Sequence, residues 1–224
     1  MPTPIEQTIA IILDPASKLR ETNPLVYCVP PDSVDEHEPR MRYFDLPDGD
    51  LSKTMRRWMM TEYGDAHLQS EPIEDNLDQS EIFAVIREPK TRWWQGVKEW
   101  MTCLPYYSWW DNEKIMEQWP HFDRFTIAQH TTLDQVKGIK HFIKGDHKLA
   151  ERFSKFCRRH RLRQYGKLEM VHNLEDTFPD RKKMLDQGIK QLRAWLKKNP
   201  EYEKKLDDYL APDYAYWERV ENQV

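Results

Sequence analysis

The stretch EIFAVIREPKTRWWQGVKEWM, residues 81–101, joins the pattern of a buried strand to the pattern of a helix. Every residue from 82 to 86 is apolar, which is typical of a strand that helices cover on both faces. A turn follows at 88–89, and apolar residues, several of them tryptophans, then recur at helical spacing. The stretch therefore predicts a central strand, a tight turn and a helix, with Arg87 at the point where the strand ends.

Outside this stretch, short apolar runs alternate with helical stripes of apolar residues. The runs predict strands at 8–13, 25–29, 40–46, 125–129, 139–143 and 168–171, and the charges of 40–46 place that strand at a sheet edge. The stripes predict helices at 51–64, 149–160, 185–196 and 200–210, and the acidic stretch 71–79 predicts a surface loop. We therefore expect an α/β protein with a mostly parallel sheet flanked by helices, and the length of 224 residues predicts a single domain over 1–224.

The composition limits the classes of partner. A formal charge of −4 gives no reason to expect nucleic acid or an anionic membrane as a partner. No apolar run approaches the length of a membrane-spanning helix, and the N-terminus lacks the pattern of a signal peptide, so we expect a cytoplasmic protein. Three widely spaced cysteines predict reduced thiols that pack as small apolar groups, and their spacing excludes a cysteine-based zinc site.

Arg87 stands where an anion site is expected in an open parallel sheet. Ligands of such sheets lie beyond the carboxyl ends of the strands, where helix N-termini converge. Unpaired N–H groups at the start of a helix and the fork of a nearby arginine together favour phosphate. An ion pair between Arg87 and a local carboxylate such as Glu88 explains the same position equally well.

The segment FAVIREPKTRWWQGV, residues 83–97, resembles the 3′-phosphate-binding segment of the sulfotransferases, especially their carbohydrate branch. Arg87, Pro89 and Arg92 fall on that family's Arg-Asp-Pro-x-x-Arg pattern, with Glu88 in place of the aspartate. Three later segments resemble family segments in the same order along the chain. They are AQHTTLDQ at 128–135, VHNLED at 171–176 and YLAPDYAYWERV at 209–220.

The resemblance implies a P-loop-like sulfotransferase fold and a donor, 3′-phosphoadenosine 5′-phosphosulfate. Members of the family transfer its sulfuryl group to an acceptor, here a hydroxyl of a carbohydrate or small molecule. Arg87 and Arg92 would hold the 3′-phosphate, with Gln95 in place of the family's serine. Ser33 would lie in the loop for the 5′-phosphosulfate.

That loop departs from the family's pattern. LVYCVPPDSVDEH, residues 25–37, has no glycine and has Asp32 near the place of the family's lysine. Either basic residues elsewhere supply the charge, with Lys18, Arg20, Arg40 and Arg42 nearest in sequence, or the fold serves a noncatalytic purpose. The alternative function is thus that of a binding or assembly subunit with the same fold. The compactness of the chain is compatible with a viral source for such a subunit.

The resemblance also implies a general base close to the donor. His130, at the end of a predicted strand, is the first candidate for this catalytic role and His172 is the second. A structural histidine is the alternative for each of them. Because the chain contains no HExxH or comparable ligand spacing, the sequence predicts no metal site.

Two surface stretches allow more than one interpretation. KFCRRHRLRQYGK, residues 155–167, is either a solvated helix face or a surface for a polyanionic acceptor or RNA. LPYYSWWDNEKIMEQWP, residues 104–120, carries rings that pack in a core, stack on a sugar or contact a protein partner.

Overall fold

The computed structural model describes residues 25–29, 40–46, 49–64, 70–71, 80–102, 113–136, 138–171 and 179–221. The predicted strand at 8–13 and the candidate site residues Ser33 and His172 lie outside these ranges. Side chains of 25–29, 40, 70–71, 80, 114–115, 179–181 and 221 are also outside the description, so only the backbone of those residues is discussed.

The chain divides into two compact units, and each is described separately. The tryptophan-rich unit comprises Met1–Asn23, Pro89–Ala128 and His172–Ala215. The sheet unit comprises Pro24–Glu88, Gln129–Val171 and Tyr216–Val224. The single domain over 1–224 stays a prediction.

The elements follow one another in an order that mixes strands and helices, as the sequence predicts for an α/β protein. The strands are β1 (Leu25–Val29), β2 (Arg40–Asp45), β3 (Ser70–Glu71), β4 (Ser80–Ile86) and β5 (Ile139–Lys144). The helices are α1 (Gly49–Tyr63), α2 (Pro89–Thr102), α3 (Glu113–Met116), α4 (Gln129–Leu133), α5 (Leu149–Arg159), α6 (Pro179–Lys198) and α7 (Pro200–Glu221).

The sheet has the strand order β3-β1-β2-β4-β5. β2, β4 and β5 are parallel, whereas β1 runs antiparallel to both of its neighbours. The expectation of a mostly parallel sheet therefore holds for three strands, and two strands extend the sheet in a mixed pattern. β4 lies between β2 and β5, as the middle one of the three parallel strands, whereas β2 is the central strand of all five, so its predicted edge position is wrong.

Helices cover both faces of this sheet. On one face, Phe83 and Val85 of β4 pack in a cluster with residues of α1 and α5. On the other face, Ile82 and Ala84 pack with residues of α4 and with Val220 near the end of α7. This arrangement explains the uninterrupted apolar run of β4, because each of its faces is buried.

The tryptophan-rich unit buries its aromatic rings against α2, α6 and the first part of α7. Trp100 stacks on Phe122 with ring centroids 4.2 Å apart. Trp119 is 8% exposed and its indole N–H donates to the Tyr202 carbonyl at 2.9 Å. Core packing is therefore the correct interpretation for Trp119, whereas residues 103–112 lie outside the description.

Two predicted strands are wrong. Residues 125–129 form turns and the start of α4, because the Thr126 hydroxyl accepts a hydrogen bond from the Phe122 N–H and the Asp123 carboxylate accepts one from the Phe125 N–H. Residues 168–171 form an irregular segment, in which the Val171 N–H donates to the Thr54 hydroxyl instead of to a strand. In both segments, hydrogen bonds from backbone N–H groups to side chains thus take the place of the hydrogen bonds that would join a strand to its neighbour.

None of the helices in the described ranges has the length and apolar character needed to cross a membrane.

Cys157 lies on α5 with 1% of its surface exposed, as expected for a thiol that packs as a small apolar group. Burial, followed by the nearby Glu62, raises the pKa of the Cys157 thiol to about 12. The side chain of Cys28 and the whole of Cys103 lie outside the description.

This burial predicts that Cys157 is nearly inert in the folded chain. At pH 8 we expect alkylation of Cys157 to be about a thousandfold slower than in the denatured chain, because the thiolate is the reactive form. Mass spectrometry of peptides after timed iodoacetamide treatment measures the rate. Comparable rates in the folded and denatured chains would show that α5 does not bury this thiol.

Candidate functional site

The backbone at Arg87 is held by a glutamine side chain. The Gln129 amide oxygen accepts a hydrogen bond from the Arg87 N–H, and the Gln129 amide nitrogen donates to the Arg87 carbonyl, each at 3.0 Å. Gln129 is 3% exposed, so this clamp is buried. The chain direction after β4 is therefore set by a residue 42 positions later. His130, the first predicted base, is the next residue along the chain and is half-buried.

Arg92 belongs to the other unit and has a different environment from the one predicted. It is 2% exposed, and its guanidinium donates to the Ile127 carbonyl. This contact ties α2 to the turn before α4 within the tryptophan-rich unit. Gln95, the third predicted phosphate ligand, is half-buried on α2.

β1 and β4 end at opposite ends of the sheet. Val29, the last residue of β1, pairs with Met41 near the start of β2, and Met41 pairs in turn with Glu81 near the start of β4. Arg87 follows the opposite end of β4. β1 therefore ends away from Arg87, and Ser33 itself lies outside the described residues.

A cavity of about 370 Å³ adjoins β5 in the sheet unit. Its walls come from β5, from α5 and its end, and from Val220 of α7. Four cationic side chains line it, namely Lys144, Arg152, Lys155 and Arg159. The other walls are His141, His160, Phe142, Ile143, Phe156 and Val220. Among the described residues that line this cavity there is no carboxylate.

The cations of the cavity differ in how far they are neutralised. Arg152 is paired with Asp146 at 2.7 Å, and Lys155 is paired with Glu151 at 2.9 Å on the exposed surface of α5. Partial burial would raise the pKa of the Asp146 carboxyl, but the hydrogen bond from Arg152 and the Lys148 N–H lower it overall.

Of the other two cations, one is buried and one is exposed. Lys144 is 5% exposed, with its ammonium 4.3 Å from the centre of the Trp217 ring. Arg159 is exposed, and it forms no ion pair with any residue in the described part of the chain. The described walls of the cavity thus carry four cations and no carboxylate, which suits an anionic guest.

Glu81, His141 and His160 form a compact cluster beside the cavity. The ligating atoms of these three side chains all lie within 4.8 Å of one another. His141 Nε2 is 3.0 Å from Glu81 Oε2, and His160 Nδ1 is 3.7 Å from the same oxygen. All three side chains are half-buried.

The cluster affects the titration of its own members. The hydrogen bond with His141 lowers the pKa of the Glu81 carboxyl, against the opposing effect of partial burial. Burial, followed by the proximity of His141, lowers the pKa of the His160 imidazole. The cluster thus favours a carboxylate beside a neutral His160 imidazole.

A β-bulge directs His141 to this cluster. Ile82 pairs with Ile139 but Phe83 pairs with His141, so Lys140 is an extra residue of β5. Without the extra residue, His141 would face the opposite side of the sheet, because side chains alternate along a strand. His160 is the residue that ends α5. The cluster was not predicted from the sequence, where its only signals were a histidine in a predicted strand and another inside the basic stretch 155–167.

Comparisons with known proteins found no match, whether against protein-family models, curated proteins or solved structures.

Proposed function

We propose that this protein binds a small phosphorylated or sulfated ligand in the cavity beside β5. The observation that carries the proposal is the lining of four cations without a carboxylate among the described residues of the walls. Charge-assisted hydrogen bonds from arginine and lysine to phosphate or sulfate oxygens are among the strongest polar contacts in proteins.

The apolar part of the cavity supports a ligand with a flat or apolar body. Phe156 and Ile143 provide such a wall, and the volume of about 370 Å³ lies within the usual range for small-molecule sites. Phe156 contacts both histidines of the neighbouring cluster, at 5.7 Å from His141 and 4.4 Å from His160 between ring centroids. A nucleotide with several phosphate groups has this combination of charge and aromatic surface.

The first test uses 3′-phosphoadenosine 5′-phosphate as the probe and adenosine as the uncharged control. The double variant Lys155→Gln, Arg159→Gln should weaken calorimetric binding at least about tenfold, because it removes two charge-assisted contacts. The matched control Lys148→Gln, Arg158→Gln removes the same charge from α5 and the residue before it, at positions that do not line the cavity. We expect its affinity to stay within about twofold of wild type.

Two outcomes would contradict the cavity as the binding site. One is equal loss of affinity in both double variants, which would indicate a general effect of charge. The other is binding of adenosine as tightly as the bisphosphate, which would indicate that the cations do not contact the ligand.

Sulfuryl transfer by a P-loop-like sulfotransferase fold is the second proposed function. The position of Arg87 after an internal parallel strand and two residues before the start of α2 supports it. The burial of Arg92 against the Ile127 carbonyl and the direction of β1 weigh against it. If activity exists, we expect slow transfer, since Asp32 stands near the place of a lysine that neutralises the leaving group.

A crossed comparison separates the two functions. If the bisphosphate lies in the cavity, Arg87→Ala should leave its affinity within about twofold while the Lys155 and Arg159 double variant loses at least about tenfold. If the nucleotide binds at the end of β4, Arg87→Ala should instead lose at least about tenfold in affinity, and the double variant should stay within about twofold of wild type. Transfer of radiolabelled sulfate from the donor to a glycan panel then tests catalysis separately from binding.

A further inference from the structure

We infer that Glu81, His141 and His160 form a binding site for a divalent transition-metal ion of the zinc class. The proposal concerns a cation held by one carboxylate and two imidazoles, and it stands independently of the anionic ligand of the proposed function. The spacing of residues in the sequence predicted no metal site, because these three residues are 60 and 19 positions apart and form no ligand motif.

Two of the three distances between ligand atoms in the cluster are close to those expected around a single ion. Ligand atoms about 2.1 Å from one ion lie about 3.0 to 3.5 Å apart when they subtend angles of about 90° to 110°. The Glu81 Oε2 to His141 Nε2 distance of 3.0 Å is in this range, and the 3.7 Å to His160 Nδ1 exceeds it by a few tenths of an ångström. The imidazole nitrogens of His141 and His160 lie within 4.8 Å of one another, and rotation of these side chains would bring all three ligands to one ion.

The chemistry of the donor set points to the class of metal. Imidazole nitrogens suit zinc, cobalt, nickel and iron, whereas calcium and magnesium prefer sets made of oxygens alone. Two histidines with one glutamate is a donor set found in zinc sites that keep a position for water or substrate. His141 and His160 also line the cavity, so the remaining positions of the ion would be close to the guest of the cavity.

The fold holds each donor on a separate element. Glu81 is on β4, His141 is placed by the bulge in β5, and His160 ends α5. Lys140 Nζ is 3.9 Å from the second Glu81 oxygen, and this contact leaves Oε2 for the ion. Partial exposure of all three side chains gives an ion access from solvent.

The test is a zinc titration of the full chain after removal of metals with a chelator. The buffer contains chloride and no phosphate, sulfate or nucleotide, so the result does not depend on the proposed anion function. We expect saturation at about one ion per chain in calorimetry.

Glu81→Gln and His160→Gln should each weaken the affinity at least about tenfold, because even the loss of an outer partner of a metal ligand costs about that much. The matched control His147→Gln, an exposed histidine of the same unit, should stay within about twofold of wild type.

Cobalt provides a second readout that identifies the ligands. A site of two nitrogens and one oxygen should give a visible cobalt spectrum without the charge-transfer band of a cobalt thiolate. Near-ultraviolet circular dichroism checks that each variant is folded. A thiolate band, equal affinity in Glu81→Gln, His160→Gln and wild type, or the absence of saturation would overturn the proposal.

Discussion

Gly96→Ala is expected to lower the free energy of unfolding by about 3 kcal/mol, through a backbone clash inside the tryptophan-rich unit. A Cβ atom at Gly96 would lie 1.8 Å from the Phe125 carbonyl oxygen and 2.5 Å from its carbonyl carbon. The contact is with backbone, so no side-chain rotation can relieve it. An exposed helical glycine would gain up to about 1 kcal/mol on the same change, and here that gain is outweighed because α2 or the turn must move.

The turn at Phe125 resists such movement. Thr126 and Asp123 hold it through several hydrogen bonds, and Arg92 donates to the carbonyl of Ile127, two residues after Phe125. Thermal unfolding followed by circular dichroism should show a midpoint about 6 to 12 °C below wild type.

Gly166→Ala provides the control for Gly96→Ala. An added Cβ at Gly166 meets no atom within 4 Å, so the free energy of unfolding should change by less than about 0.5 kcal/mol. A Gly96→Ala variant as stable as wild type would mean that α2 does not lie against this turn.

Arg92→Ala is expected to destabilise the protein by about 3 kcal/mol and not to act mainly on a ligand. The guanidinium is buried and donates to the Ile127 carbonyl, so its removal leaves a buried acceptor without this donor and an unfilled space beside α2. Urea unfolding measures the loss. Lys197→Ala, at an exposed position of the same unit, should change stability by less than about 0.5 kcal/mol.

The Arg92 experiment also tests the interpretation from sequence. If Arg92 held a 3′-phosphate, its replacement by alanine would lower the affinity for the bisphosphate nucleotide and leave the unfolding midpoint nearly unchanged. A large fall in stability with unaltered affinity is the result that the burial of this side chain predicts.

Local sequence patterns determined most of the elements. The apolar run of β4, the proline at the start of α2 and the spacing of apolar residues on α1, α5 and α6 each depend on residues close together in the chain. The same holds for the burial of Cys157, which shares the apolar face of α5 with Phe153. These predictions are confirmed because backbone propensity and side-chain periodicity act within one or two turns.

Longer-range pairing decided the direction of β1 and the internal position of β2. A strand pattern does not specify which neighbour a strand pairs with or in which direction. The turn at 123–126 depends on the side chains of Asp123 and Thr126, whose hydrogen bonds to nearby N–H groups replace those of a ladder.

The candidate site was the part that only the tertiary structure decided. Arg159 was visible as a member of a basic stretch, and its position on a cavity wall depends on how α5 packs on the sheet. Glu81, His141 and His160 come together because β4 and β5 are neighbours, a bulge turns one histidine and the end of α5 supplies the other. Residues brought together by strand pairing leave no fixed spacing in the sequence, which is why spacing predicted no metal site where the geometry points to one.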